Sequence, residues 1–128
     1  MAKIKISQSP TFKAKVAIPR VGADPVSVEF EFKYLDRLAL AQYFDKWNGA
    51  SEQHIKQVQE DGLTWQESTA AEIAIQVGQL KDIVHGWAFD EKLSDESLTA
   101  LCTTCVGAPQ AVLAAYQTAY QPARLGNS

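Results

Sequence analysis

Val26-Ser27-Val28-Glu29-Phe30-Glu31-Phe32-Lys33-Tyr34 is the stretch that decides the fold. Apolar side chains occupy every even position and polar ones every odd position between them. That period of two places one face on a core and the other in water, as a half-buried strand requires. Just upstream, Phe12, Ala14, Val16 and Ile18 alternate with Lys13 and Lys15 in the same way. Pro19-Arg20-Val21-Gly22-Ala23-Asp24-Pro25 lies between the two runs, a turn-rich stretch bounded by prolines that cannot donate to a ladder.

The two runs therefore read as an antiparallel hairpin, and side-chain chemistry selects its register. With Ile18 opposite Val26, Val16 meets Val28 and Phe12 meets Phe32, while Lys15 faces Glu29 and Lys13 faces Glu31. Apolar pairs then line one face and opposite charges the other. A slip of one residue sets charges against apolar partners throughout, which strongly disfavours it. Further out, Ile4 and Ile6 alternate with Lys3 and Lys5 and offer a third strand.

From Asp36 the period turns helical. Asp36 is placed to cap a helix carrying Leu40, Phe44 and Trp47 at i, i+4 and i+7, with Asn48-Gly49 as its stop. Ser51 opens a short polar helix that closes near Gly62. The next helix has two candidate capping boxes, Thr64/Glu67 and Thr69/Glu72, and one apolar stripe of Ile73, Val77, Leu80, Val84 and Trp87. Ser94, followed by Asp95 and Glu96, caps another, whose apolar face is Leu98, Leu101, Cys102 and Cys105 and which Gly107 closes. Pro109 suits the first turn of the last helix. Leu113, Tyr116 and Tyr120 line one side of it, Ala111, Ala115 and Ala119 an adjoining one, and Pro122 ends it.

Strands first and helices after make an α+β arrangement: an antiparallel hairpin, extended to three strands if Ile4 and Ile6 join, followed by four to five helices. A length of 128 residues predicts a single domain, with the hairpin part over 1–34, the helical part over 35–122 and a tail over 123–128. Hydrophobic residues at 46% and charged residues at 21% predict a folded globular chain. No run approaches the ~18 apolar residues of a membrane-spanning helix, and no signal-peptide core follows Met1. The expectation is a protein without a membrane partner. Two closely spaced cysteines fit a reducing compartment.

Charge is uneven. Residues 1–34 hold six Lys/Arg against three Asp/Glu, and residues 35–107 hold five against twelve. An acidic middle, with the hairpin lysines neutralised across the ladder, argues against nucleic acid as a partner.

Candidate chemistry is sparse. Cys102-Thr103-Thr104-Cys105 has the spacing of a redox pair, but it sits about two turns into a helix, away from the N-terminus that would lower a thiol pKa. A zinc site needs two more ligands, and His54 and His85 stand at no recognised spacing. Two small core residues account for the pair. His54 reads as solvated and His85 as a helix C-terminal cation. The acids Asp90-Glu91 and Asp95-Glu96 suit the approach and first turn of a helix. There is no phosphate loop, nucleophile elbow or HExxH, so neither catalysis nor a cofactor is expected. Trp47 and Trp87 fall on apolar stripes and read as core. Trp65, Tyr116 and Tyr120 are candidates for partner contact, with core packing the other reading of the tyrosines.

From Leu80 to Asn127 the sequence resembles the phage tail assembly chaperone family of long-tailed phages. The resemblance rests on Val84-His85-Gly86-Trp87 with Asp90 after it, the helix opening Ser94-Asp95-Glu96-Ser97-Leu98 that continues to Leu101, and the Gly107-Ala108-Pro109 break. Ala115-Tyr116 and the tail Arg124-Leu125-Gly126-Asn127 complete it. It makes Trp87, Asp90, Ser94, Leu98 and Leu101 motif positions of structural kind. It implies a non-enzymatic protein of the host cytoplasm, absent from the mature virion. Such a protein binds the tape measure protein, helps recruit tail tube protein and has scope for self-association. The competing expectations are a minor structural or connector component of a tail, and a small thiol or metal protein using Cys102 and Cys105.

Overall fold

Residues 3–121 are described by the structure, a computed structural model. The order is β1 (Thr11–Arg20), β2 (Ala23–Lys33), α1 (Arg37–Asp61), α2 (Trp65–Ile83), β3 (Val84–Trp87), α3 (Asp95–Thr104) and α4 (Ala108–Ala119). The α+β class holds, with a three-stranded antiparallel sheet ordered β1-β2-β3 and four helices. The Pro122 stop and the Arg124-Leu125-Gly126-Asn127 tail lie outside the described residues.

The hairpin has the expected register. Phe12 faces Phe32, Lys13 Glu31, Lys15 Glu29, Val16 Val28 and Ile18 Val26. Both strands run further into the proline-bounded stretch than the prolines suggest, leaving only Val21-Gly22 as the turn, with Gly22 at φ 74°. Only glycine takes that angle without strain. The ladder slips between Ile18 and Arg20, around Pro19. On the wet face the charges pair more loosely than direct opposition implies. Lys13 Nζ reaches diagonally to Glu29 at 4.0 Å, and Thr11 Oγ1 donates to Glu31 at 2.7 Å. Exposed pairs of this kind fix register more than they stabilise.

Val16, Ile18, Val28, Phe30 and Phe32 form the dry face of the sheet, and Phe30 and Phe32 are fully enclosed. Each such ring contributes roughly 1.5–3 kcal/mol relative to exposure. α4 lies across β1 and seats Val112 and Tyr116 in the core. The centre of its inner face is Val112 with Tyr116, while Leu113, expected there, is half-buried on the flank. α2 packs between α1 and α3 and brings in Leu80 and Ile83.

Three expectations are corrected. First, α1 is one helix of 25 residues, with no stop at Asn48-Gly49 and no new start at Ser51. Asp36 caps it through Ala39 N–H at 2.9 Å, and Gly62, in the left-handed region at φ 60°, ends it. Trp47 holds its middle to α2, and that tertiary anchor outweighs a local helix-stop signal. Second, Ile4 and Ile6 form no strand and are fully exposed.

Third, the third strand is Val84–Trp87, which the helical stripe had absorbed. Val84 N–H makes the last helical bond, to Leu80 O, and its own backbone is already extended. The chain thus passes from helix to strand without a loop. A sheet edge at β2 needs hydrogen-bond partners, and β-branched Val84 with unhindered Gly86 supplies them. Phe30 faces Trp87, Glu31 Gly86 and Phe32 Val84. The register shift at this point bulges His85 into solvent, one residue past the C-cap of α2. Of the two capping boxes, Thr64/Glu67 is the one that forms, with both reciprocal bonds present.

α3 and α4 meet at a bend of 108°, turned through Gly107. No single helix among the described residues is long and apolar enough to cross a membrane.

Candidate functional site: a cleft at the open edge of strand β2

β3 covers only part of β2. It pairs with residues 30–32, and one further bond runs from Ala88 N–H to Glu29 O at 2.9 Å. That bond shows which way the Glu29 peptide points, and alternation along a strand turns the Ser27 peptide the same way. Beyond Ala88 the chain leaves the sheet. Ser27 N–H and C=O therefore face outward from β2 with no strand of the described residues opposite them. Pro25, next on that side, has no N–H to offer, and limits the open edge to a few residues.

A cleft of about 440 Å³ lies along this edge. One wall is β2 at Val26, Ser27 and Val28, and another is the turn from Trp87 to Glu91. The third is α3 at Ala100, Leu101, Thr104 and Cys105. The turn is held rigidly. Trp87 Nε1 donates to Glu91 O at 2.8 Å, and its ring meets Phe89 edge-on at 4.9 Å and Phe30 at 5.9 Å. Ser94 and Ser97 cap α3 reciprocally, and Ser97 Oγ also donates to Lys92 O at 2.8 Å. One cation, Arg20, lines the cleft against three carboxylates, Glu29, Asp90 and Glu91, so its rim is acidic.

The motif positions converge here. Trp87, Asp90 and Leu101 line the cleft, Ser94 sets the start of its helical wall, and Leu98 anchors that helix in the core. The aromatic candidates separate. Tyr116 is buried, with its hydroxyl on the backbone of β2, and serves as core. Tyr120 is half-buried beside it, and Trp65 projects from the start of α2 with 92% of its surface exposed.

Cys102 is buried and Cys105 half-buried, both as unpaired thiols. Burial pushes the Cys102 thiol up to about 11, which disfavours the thiolate needed for nucleophilic or redox work at neutral pH. His54 is half-buried between α1 and α2, with Nε2 3.2 Å from Ser68 Oγ. Solvation was expected of it, but continuity of α1 carries it over α2. Among the described residues, no three His, Cys, Asp or Glu side chains gather where they could hold a metal ion.

A second surface lies on the helices. Phe44, Trp47, Asn48, Ser51, Gln79 and Leu113 line a groove of about 330 Å³ between α1, α2 and α4. Phe44 and Ile55, eleven residues or about three turns apart, are exposed on one flank of α1. Sequence reasoning missed Asp82, which joins the helices under this groove. Its carboxylate accepts from Trp47 Nε1 at 2.8 Å and from Lys46 Nζ at 3.0 Å. It also missed the open edge at Ser27, for which Pro25 was the available signal.

Residues 1–127 match the family model described as phage tail assembly chaperone. No curated protein and no solved structure matches the chain.

Proposed function

The chain belongs to the phage tail assembly chaperone family, and on that premise we propose that it binds the tape measure protein, keeps it soluble and helps recruit tail tube subunits during virion assembly. The role is one of binding without catalysis, performed in the host cytoplasm by a protein that does not remain in the finished particle. The family match over residues 1–127 carries this reading.

Physical chemistry supplies a means. A long helical tape measure exposes apolar stripes that aggregate unless they are covered. The groove edged by Phe44 and Leu113 over Trp47, with Ile55 beyond it, offers an apolar strip flanked by Asn48, Ser51, Gln79 and Gln117, a mixed lining that suits one face of an amphipathic helix. Each contact is small, so hold comes from many copies along the rod, and release follows as tube subunits displace them.

Co-expression with the tape measure protein tests this. The expected result is tape measure protein in the soluble fraction, bound to this chain, with Phe44→Glu and Leu113→Glu together returning it to the pellet. Tape measure protein that is equally soluble without this chain would overturn the reading. Mass spectrometry of purified particles should find the chain absent; stoichiometric presence would make it a tail component instead.

A further inference from the structure

We propose that the acidic cleft beside Ser27 receives the segment Lys3-Ile4-Lys5-Ile6 of a second copy of this chain, added as a short strand to the open edge of β2. Three features fit that occupant. The first is the backbone: Ser27 presents an N–H and a C=O outward, and a strand laid there satisfies both. The second is alternation. A strand added at the edge sends alternate side chains to opposite faces. Ile4 and Ile6 then turn toward Leu101 and Cys105 on α3, and Lys3 and Lys5 toward Glu29, Asp90 and Glu91. The third is that the segment is uncommitted. Ile4 and Ile6 are 98% and 101% exposed, the most exposed large hydrophobic residues among those described, and belong to no strand or helix.

Geometry makes the donor another copy. Thr11 faces Lys33, and Ser27 lies six residues further along β2 toward the turn. That is about 20 Å along the strand and about 10 Å across two strand spacings, or roughly 22 Å in all. The seven steps from Thr11 back to Ile4, in the middle of the segment, span at most about 25 Å when fully extended. That barely exceeds the straight line, which runs through β2 itself, so the arm of the same copy has no slack to pass over the sheet and seat Ile4 beside Ser27. Few backbone bonds are on offer, because Pro25 closes the edge at one end and β3 at the other, so the contact is weak and reversible.

Sedimentation velocity of the full chain over a range of concentrations tests this, with circular dichroism to show that each variant is folded. Mass should rise with concentration. Ile4→Glu with Ile6→Glu should weaken association about a hundredfold. Lys3→Glu with Lys5→Glu, and separately Asp90→Lys with Glu91→Lys, should each weaken it roughly tenfold. Mixing those two charge-reversed proteins should give tighter association than either shows alone, because reversed arm then meets reversed cleft. A chain that stays monomeric at millimolar concentration overturns the proposal. So does association that survives the Ile4 and Ile6 changes, or charge-reversed partners that fail to recover each other.

Discussion

The Tyr116 hydroxyl donates to the backbone carbonyl of Lys33 at 2.9 Å, tying the inner face of α4 to the last residue of β2. The Tyr120 hydroxyl lies 3.0 Å from it and accepts from Leu35 N–H at 2.9 Å. Two tyrosines one helical turn apart thus satisfy the backbone where the sheet hands over to α1. This network explains why tyrosine, and not phenylalanine, stands at an enclosed position.

Tyr116→Phe keeps the ring and removes the bond to Lys33. Expected is a loss of about 1–2 kcal/mol, the cost of leaving a part-buried carbonyl without its donor. Urea unfolding should show a lower midpoint with an unchanged slope. Tyr116→Ala should cost about 3–5 kcal/mol through the cavity it leaves among Phe12, Phe32 and Val112. If the phenylalanine variant matches wild type, the Lys33 carbonyl finds another donor and the Tyr116 bond adds nothing to stability.

Gly49→Ala tests the continuity of α1. Gly49 lies inside the helix, and a Cβ built on it meets nothing within 4 Å. Alanine there should stabilise the protein by about 0.5–1 kcal/mol, because glycine loses more backbone freedom on folding. Were the helix to stop at Asn48-Gly49 with the glycine left-handed, the same change would destabilise it. The sign of the shift in melting temperature decides between the two.

What the sequence disclosed follows from how strongly each pattern is penalised when misread. The hairpin register was legible because a slip of one residue sets Lys13 and Lys15 against Phe and Val. The caps at Asp36, Thr64 and Ser94 were legible as local motifs. β3 was not, because Val84 and Trp87 continue the stripe of Ile73, Val77 and Leu80, and only the unpaired side of β2 calls them into the sheet. For the same reason sequence placed Trp87, Asp90 and Leu101 in one motif but could not find the cleft they line. Its open edge at Ser27 depends on where β3 ends. Val112 was passed over for Leu113 because neighbours on a helix differ by only 100°, and the packing of α4 on β1 chooses between them.

Asp82 should matter more than its surface charge suggests. It accepts from Trp47 Nε1 and from Lys46 Nζ, and the lysine side chain is 62% exposed while the aspartate is 14% exposed. Asp82→Ala leaves the indole N–H of buried Trp47 without its acceptor, and should cost about 1–3 kcal/mol. Lys46→Ala removes a solvent-screened pair and should cost only a few tenths, about 0.2–0.5 kcal/mol. Thermal melts of both variants, with tryptophan fluorescence to follow the indole environment, check the ranking. Equal losses would make the ion pair, not the indole bond, the link between α1 and α2.

Alkaline pH should unfold the protein through its buried acids. Burial raises the Cys102 thiol from its usual 9.0 to about 11. Below pH 9 both folded and unfolded chains keep the proton, and the thiol takes nothing from stability. Above it the unfolded chain releases the proton first, so the folded state binds more protons and stability falls until the pH passes the folded value. Two pH units of difference correspond to a loss on the order of 2 kcal/mol. Tyr116, raised by burial first and then by its bond to Tyr120, acts in the same direction at higher pH. Midpoints of urea unfolding taken from pH 8 to 11 should therefore decline in the wild type, and Cys102→Ala should flatten the part between 9 and 10. Parallel curves for the two proteins would mean that the thiol ionises as readily inside the fold as outside it.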